Sequence, residues 1–474
     1  MVRVHRAARI GFAALAFLVL VTSGYAWATY QNFAASVPHG VAVPALAAGQ
    51  KDIDGAAQNI LLIGDDTRAG ASTAEQNALR TGNDDGTVNT DTMMIVHIPA
   101  DGAKPSIISF PRDSWVSIPG HGKGKLNSAY GDGYYPARNR HESEQRAQSA
   151  GIMMTLLTLS SLTGLHIDHY LQVNLLGFYR ISEAIGGVTV CLKHAQNATT
   201  DSDAFGRGYT GIDLPAGVSV IKGLQALAFV RQRHGLPHGD LDRIRRQQYF
   251  LAAAFRKIAS AGELLNPFKL RRLLDAVGTS LLTDPSLNLL SLARSFEMLA
   301  GGAISFATLP NNGPQLIYPD GVETSIVQVD YPAIPGFIRS VTGQAADPRL
   351  AKVTPAAPAS VTVDVLNGAD VVMLATRNAT QLKKLGFSVD VVDSTPQPVS
   401  TTSILYRSGQ QAAAKALAQV VPGATLIETP SVHRVTLQLG TDGRQVTGLV
   451  PAPTVSTSAA PTAAPHPAKP GCID

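Results

Sequence analysis

Short apolar runs that end in charged or small polar residues predict the strands of a buried sheet. Residues 60–64 are apolar up to a closing glycine, and residues 93–98 and 106–110 have the same character. Runs of this length are typical of strands that are covered on both faces. We therefore predict that these three segments form the centre of a sheet whose ends carry functional residues.

Segments with helical periodicity follow these predicted strands along the chain. Residues 241–259 place Ile244, Leu251, Phe255 and Ile258 at helical spacing, which defines a buried stripe. Similar patterns span residues 149–162, 174–185 and 222–230, and a further apolar strand spans residues 188–192. Alternating strands and helices are typical of a layered domain. We therefore predict an α/β domain over residues 56–345, with α-β-α layers around a central mixed sheet.

A Pro/Ala-rich linker at residues 346–360 separates a second, smaller unit. Residues 361–448 alternate short apolar runs with two helical patterns, which predicts a small α/β domain. Its predicted strands are residues 361–366, 387–392, 403–406 and 435–439, with another near Leu426, and its helices are residues 371–385 and 410–421. Residues 449–474 are rich in Ala, Pro and Thr, so we predict a disordered tail.

The N-terminal segment predicts export. Three arginines, at positions 3, 6 and 9, precede an apolar stretch at residues 10–30 that is long enough for a transmembrane anchor. Basic residues before such a stretch favour a cytoplasmic segment at residues 1–9 and an extracytoplasmic remainder, beginning with a spacer at residues 31–55. Residues 26–28 (Ala-Trp-Ala) also fit a cleavage site, so a cleaved signal peptide is the alternative.

Composition argues against a nucleic-acid binder and against a metal site built on cysteines. Of the 474 residues, 45% are hydrophobic and 16% are charged, and the formal net charge is +4. This small surplus lacks the concentrated basic surface of a nucleic-acid binder. The two cysteines, Cys191 and Cys472, have no metal-site spacing. An oxidising compartment would permit a disulfide between them, but the position of Cys472 in the predicted tail argues against it.

Two aspartates lie where predicted strands meet a polar loop. Asp66 follows the first strand and Asp91 precedes the second, so we expect each where an edge of the sheet meets the loop. Mg²⁺ typically takes one or two carboxylates together with phosphate oxygens. The structural alternative is that Asp91 caps a turn and Asp66 pairs with Arg68.

Arginines concentrate in two neighbouring segments, residues 231–233 (RQR) and residues 239–247 (GDLDRIRRQ). In the second segment Arg243, Arg246 and Gln247 are three and four residues apart, so they share one helical face. Guanidiniums gathered at the start of a helix match the oxygens of a phosphate. A solvated basic face is the alternative. Together, the acidic and basic clusters predict phosphoryl-transfer chemistry.

Two other patterns, and the absence of a third, support no further function. Residues 206–211 match GxGxxG but follow a polar loop instead of a strand. The sequence contains no Walker A motif, which leaves an ATPase without support. Pro237 lies between His234 and His238 and spoils a helical two-histidine metal site.

The ordered clusters resemble the LytR-CpsA-Psr (LCP) family of cell-wall ligases over residues 59–260. The resemblance runs through NILLIGDDTR, NTDTMMIVHI, SIISFPRDSWVSIPG, KLNSAYGDGY, IDHYLQVNLLGFYRISEAIGGVTV, KGLQALAFVRQR and GDLDRIRRQQ. Residues 361–448 look like the LytR C-terminal domain of some actinobacterial members. Two departures are a longer loop between Arg68 and Asp91, and Asn89-Thr90 where Arg or Ser is usual.

The resemblance implies a phosphotransferase that depends on Mg²⁺ or Mn²⁺ and assigns roles by motif. A peptidoglycan hydroxyl would attack a glycan-bearing polyprenyl pyrophosphate at the membrane, and polyprenyl phosphate would leave. The implied metal ligands are Asp66 and Asp91; the implied catalytic residues are Asp91, Arg112, Asp113 and Arg243; and the implied pyrophosphate-binding residues are Arg68, Arg112, Lys125, Arg231, Arg233, Arg243 and Gln247. Asp113 would orient Arg112 or act as a base, and Asp240 is a further candidate.

The glycan and the acceptor stay open at this stage. In actinobacterial relatives the polymer is often arabinogalactan. A hydrolase that uses water as acceptor is one alternative, and a non-enzymatic envelope-binding or regulatory protein is another. Nucleic acid is not an expected partner, because only residues 1–9 would lie inside the cell.

Overall fold

The computed structural model describes residues 2–46, 52–66, 88–201, 210–259, 267–288, 304–343, 353–369, 371–395, 399, 402–422, 424–440, 443–447 and 472–474. An N-terminal helix, α1 (Val2–Ser36), precedes the first domain. The helices of that domain are α2 (Ser128–Asn139), α3 (Glu144–Thr163), α4 (Leu175–Ala184), α5 (Gly223–Arg231), α6 (Asp240–Ala259), α7 (Pro267–Gly278) and α8 (Ile334–Val341). Its strands are β1 (Gln58–Asp65), β2 (Thr90–Ile98), β3 (Ser106–Phe110), β4 (Trp115–Ile118), β5 (Gly122–Lys125), β6 (His169–Val173), β7 (Val188–Leu192), β8 (Gly217–Ile221), β9 (Leu281–Thr283), β10 (Ser305–Thr308), β11 (Asn311–Ile317) and β12 (Thr324–Val329).

Six of these strands form the central sheet, in the order β10-β3-β2-β1-β6-β9. Strand β1 is antiparallel to β2 and parallel to β6, and β3 is antiparallel to β2 and parallel to β10. The predicted mixed sheet is therefore present, and the three apolar runs read from the sequence are its central strands.

Helices cover both faces of this sheet. On one face Leu61 and Ile95 belong to a buried cluster with Leu156 of α3. On the other face Ile60 and Val96 cluster with Phe255 of α6. Because side chains alternate along a strand, consecutive residues of β1 serve the two faces. The α-β-α arrangement predicted from the sequence is confirmed.

The second domain has a sheet of its own. Its elements are β13 (Thr362–Asn367), α9 (Leu374–Lys384), β14 (Ser388–Ser394), β15 (Ser403–Tyr406), α10 (Gln411–Val420), β16 (Thr425–Glu428) and β17 (Val435–Leu439). The strand order in this sheet is β14-β13-β17-β15-β16. Helix α9 begins three residues later than predicted, because Met373 adopts a left-handed conformation with φ of 62°. Hydroxyls of Thr429 and Ser431 donate to the carboxylate of Asp330, which joins this domain to the first.

Helix α1 has 35 residues and exposes large apolar side chains, among them Phe12, Phe17 and Leu20. In the described part of the chain, no helix has both the length and the apolar character needed to cross a membrane. The predicted anchor at residues 10–30 and the cleaved signal peptide both stay predictions.

The last three residues correct two expectations. Cys472 forms a disulfide with Cys191, which the sequence argued against. The N–H of Ile473 donates to the carbonyl of Cys191, and the carbonyl of Ile473 accepts from the N–H of Lys193. The predicted disordered tail therefore does not reach residue 474, because backbone hydrogen bonds and a covalent link hold residues 472–474 against β7. The other residues of the predicted tail, 449–471, lie outside the described residues.

Candidate active site

The candidate residues meet at one edge of the central sheet because of the strand directions. Asp66 follows the end of β1, Asp91 is the second residue of β2, and Arg112 follows the end of β3. Strand β2 is antiparallel to both neighbours, with Gly64 opposite Thr92 and Met93 opposite Phe110. The ends of β1 and β3 therefore lie beside the start of β2.

Asp66 and Asp91 are close enough to interact electrostatically. An irregularity of register at Gly64/Asp65 precedes Asp66, and its Oδ1 accepts the N–H of Asn89 at 3.3 Å. Burial raises the pKa of Asp66 to about 6, and the negative charges of Asp91 and Asp65 contribute to this rise. The edge of the sheet thus holds carboxylates that repel one another.

Arg112 connects the sheet edge to helix α6. Its Nη1 lies 2.5 Å from Oδ1 of Asp91, and its Nε lies 3.7 Å from Oδ1 of Asp240 and 3.6 Å from Oδ2 of Asp113. Burial lowers the pKa of Arg112, but Asp91, Asp240 and Asp113 outweigh burial and raise it overall. This guanidinium is a permanent positive charge, held among three carboxylates.

Arg243 lies behind Arg112, one turn into α6, and is only 4% exposed. Its Nη2 lies 2.7 Å from Oδ1 of Asp240 and donates to the backbone carbonyl of Asp91 at 3.4 Å. Burial lowers its pKa. Burial alone would raise the pKa of Asp91, but Arg243, Arg112 and Arg231 hold it below its usual range. Asp91 is therefore an ionised carboxylate between two guanidiniums.

The end of α5 brings further cations to this place. Arg231 is the last residue of α5, and Gln247 Nε2 donates to the carbonyl of Val230 at 3.2 Å, which ties α6 to α5. Arg233 is exposed, and its charge acts on Arg243. Arg246 does not share this site, contrary to the helical-face prediction. It turns to a different buried network, which it forms with Gln232 and Asp474.

Lys125 and Asp113 form the outer side of the site. Lys125 Nζ lies 3.0 Å from Oδ1 of Asp113, and the N–H of Asn127 donates to the carbonyl of Arg112 at 2.9 Å. The other oxygen of Asp113, Oδ2, lies 3.6 Å from Nε of Arg112, which is the contact that an orienting role requires. Arg68 lies outside the described residues.

The sequence did not predict a hydrogen-bonded group of Asp65, Gln172 and Tyr130 next to the site. Asp65 is 4% exposed, and Gln172 of β6 donates to its Oδ2 at 2.5 Å. Gln172 also contacts the hydroxyl of Tyr130 at 3.4 Å. The double aspartate at the end of β1 was a signal for Asp65, whereas a glutamine inside an apolar strand gave none.

The carboxylates fit a magnesium or manganese ion that shares its coordination with a phosphate. No group of three or more His, Cys, Asp and Glu side chains suited to a metal occurs within the described residues. Asp66 and Asp91 would supply two protein ligands, and phosphate oxygens and water would supply the remainder, which is a composition typical of Mg²⁺ sites. The repulsion that contributes to the raised pKa of Asp66 is what a divalent cation would offset.

A family model described as the LytR_cpsA_psr family matches residues 34–332, which is more than half of the chain. The chain belongs to the LytR_cpsA_psr family. A second model, described as LytR cell envelope-related transcriptional attenuator, matches residues 360–442. The resemblance read from the motifs, including its second domain, is confirmed.

Relatives of this family member include proteins of cell-wall assembly. It is 35% identical over 401 residues to the cell wall biosynthesis protein LcpA of Corynebacterium glutamicum, covering 79% of this chain and 74% of the relative. It is 32% identical over 228 residues to the polyisoprenyl-teichoic acid–peptidoglycan teichoic acid transferase TagU of Oceanobacillus iheyensis, covering 48% and 59%. A solved LytR-Csp2A-Psr enzyme from Actinomyces oris is similar with a TM-score of 0.45 and 20% identity, covering 65% and 97%.

Proposed function

We propose that this chain transfers a glycopolymer from a polyprenyl-pyrophosphate carrier to peptidoglycan, forming a phosphodiester and releasing polyprenyl phosphate. Membership of the family and the similarity to LcpA support a role in cell-wall assembly. The similarity to TagU, a peptidoglycan teichoic acid transferase, supports peptidoglycan as the acceptor. Arabinogalactan, which the actinobacterial resemblance implies, is the first donor glycan to test.

The buried guanidinium of Arg243 is the observation that carries this proposal. Its Nε has no hydrogen-bond partner among the described residues, and neither does Nε of Arg112. Buried donors without acceptors are unfavourable in a folded protein. A pyrophosphate would supply several charged acceptor oxygens, which guanidiniums bind in a forked geometry.

The reaction places each residue in a definite role. The acceptor hydroxyl attacks the sugar-proximal phosphorus; a new P–O bond forms, and the bond from that phosphorus to the bridging oxygen breaks. Polyprenyl phosphate leaves with the bridging oxygen, and Arg112 and Arg243 would hold its developing charge. Asp66 and Asp91 would hold Mg²⁺ or Mn²⁺, which supplies electrostatic stabilisation of the pyrophosphate. Asp113 would orient Arg112, and the hydroxyl proton passes to solvent.

Helix α1 is proposed to hold the enzyme at the membrane where such a donor lies, as a single-pass anchor with an extracytoplasmic catalytic domain. Its exposed Phe12, Phe17 and Leu20 support this role, since apolar surface of this kind is stable in a bilayer. Extraction of membranes with alkaline carbonate tests it. A protein that stays with the membrane fraction supports the anchor, and one that is released without detergent contradicts it.

The activity is tested with the full chain in detergent, Mg²⁺, a synthetic polyprenyl-pyrophosphate glycan and an uncross-linked peptidoglycan oligomer. The decisive variant is Arg243→Ala, with Arg256→Ala, an exposed arginine on the same helix, as its control. We expect glycan on the oligomer with the wild type and the control, and a loss of at least about 100-fold with Arg243→Ala. Polyprenyl phosphate released without a linked glycan would indicate the hydrolase, and donor binding without turnover would indicate the binding protein.

A further inference from the structure

Residues 472–474 contact a buried arginine of α6, Arg246, which follows Arg243 of the candidate site by three residues. The carbonyl of Asp474 accepts from Nε of Arg246 at 2.8 Å. Nη1 of Arg246 donates to Oε1 of Gln232 at 2.6 Å, and its guanidinium carbon lies 5.0 Å from the ring centre of Phe229. The Arg246 side chain is fully buried. These contacts form one network that joins residue 474, α6 and the segment after α5.

Two side chains of this network, Arg246 and Gln232, lie beside residues of the site in the sequence. Arg246 lies between Arg243 and Gln247 in sequence, and Gln232 lies between Arg231 and Arg233. Both arginine-bearing segments are thus joined to each other by the hydrogen bond between Arg246 and Gln232. A shift of Arg246 would move the backbone of α6 at the position next to Gln247.

Arg246 relies on two hydrogen-bond acceptors, one of which comes from Asp474. Its Nη2 has no hydrogen-bond partner among the described residues, so Asp474 and Gln232 are the acceptors on which it relies. Leaving a buried charged donor without an acceptor is strongly unfavourable. The acceptor at residue 474 is in turn fixed by the disulfide at Cys472 and by the bridge between Leu192 and Ile473.

We infer that residues 472–474 are a positioning element for the pyrophosphate site, which acts through Arg246 and Gln232 to fix Arg231 and Arg243. This inference rests on the proposed function, because it assumes that these arginines bind the donor. The segment touches no reacting atom. Its contribution is to fix the end of α5 and the start of α6 relative to each other. The disulfide with Cys191 makes that arrangement persistent outside the cell.

The test compares donor affinity with folding in the full chain. The variants are the double substitution Cys191→Ser/Cys472→Ser and the single substitution Arg246→Lys. Val190→Ala, a buried residue of the same strand as Cys191, controls for lost stability. Geranylgeranyl pyrophosphate is the probe in a calorimetric titration, and thermal unfolding is measured for each protein. Turnover is measured as above, with kcat and KM separated.

We expect both test variants to fold and to bind the probe about tenfold more weakly, with KM raised more than kcat is lowered. Val190→Ala should unfold at a similarly reduced temperature and keep wild-type affinity. Equal affinity in wild type and test variants would overturn the inference, as would an equal loss of affinity in Val190→Ala. A wild type that binds no pyrophosphate would instead overturn the proposed function.

Discussion

Asp240 Oδ1 lies 2.7 Å from Nη2 of Arg243, one turn further along α6. The same oxygen lies 3.7 Å from Nε of Arg112, which follows β3. One carboxylate therefore faces two guanidiniums that come from different layers of the domain. It offsets their mutual repulsion and sets the spacing between them.

Replacing Asp240 should consequently impair catalysis more than folding. Asp240→Asn removes the anion, so the two guanidiniums separate and no longer match the pyrophosphate. We expect kcat/KM to fall by roughly 10- to 100-fold, the effect of displacing binding groups by a fraction of an ångström or more. Transfer to the peptidoglycan oligomer measures it. Asp275→Asn, an exposed aspartate on α7, is the control and should stay within about twofold of wild type.

Metal removal should abolish turnover, and Asp66 should determine how readily the metal returns. We expect chelation by EDTA to stop transfer and Mg²⁺ or Mn²⁺ to restore it. Asp66→Asn should require at least about tenfold more Mn²⁺ for half-maximal activity, since one of the two carboxylates is lost. A Mn²⁺ titration with geranylgeranyl pyrophosphate, followed by electron paramagnetic resonance, reports the same affinity without turnover. An unchanged Mn²⁺ requirement would exclude Asp66 as a ligand.

The pair Asp52 and Asp54 predicts a pH dependence of stability. Burial and the neighbouring Asp54 raise the pKa of Asp52 to about 6. Although burial raises the pKa of Asp54, hydrogen bonds with His97, Asp52 and Asn59 hold it at about 2. The proton on Asp52 thus stabilises the folded state. That stability is fully present below the unfolded pKa, near 3.9, and is lost as the pH rises through about 6.

Asp52→Asn imitates the protonated form at every pH. We expect it to raise the unfolding temperature, with a larger gain at pH 7.5 than at pH 4. Differential scanning calorimetry at the two pH values measures this. The exposed Asp101→Asn is the control and should show no such trend. A gain that is the same at both pH values would refute the assignment.

The second domain should unfold as a unit of its own. Leu417 is fully buried in α10, within a core that belongs to this domain alone. Leu417→Ala should lower the free energy of unfolding by about 2–5 kcal/mol. Calorimetry should show one displaced transition, and pyrophosphate affinity should not change. Leu374→Ala, at the start of α9, offers an independent substitution in the same core. A simultaneous shift of all transitions would indicate that the two domains unfold together.

The sequence predicts the strands that carry the site better than it predicts the contacts between the site's side chains. Apolar runs locate β1, β2 and β3 and place Asp66 and Asp91 where the sheet meets a loop. Arg112 joins them because β2 is antiparallel to both neighbours, a strand direction that the apolar runs do not specify. The contact of Asp240 with Arg112 depends on how α6 packs across the sheet, which periodicity does not specify.

Arg246 shows the same limit within a single helix. Helical spacing gives its angle relative to Arg243 but does not reveal what lies against each side of the helix. The acceptor at Asp474 comes from residues next to Cys472, which is 281 positions from Cys191. No local pattern links segments so far apart, so low complexity around Cys472 led to the wrong expectation.

The Cys191–Cys472 bond also changes the topology of the chain. With this bond, every residue from 191 to 472 belongs to a covalent ring that contains the whole second domain. A protease that cuts the linker at residues 346–360 once would open the ring without releasing a fragment. The second domain can therefore leave the catalytic domain only after a second cut or a reduction, so a nicked enzyme in the cell envelope retains both domains.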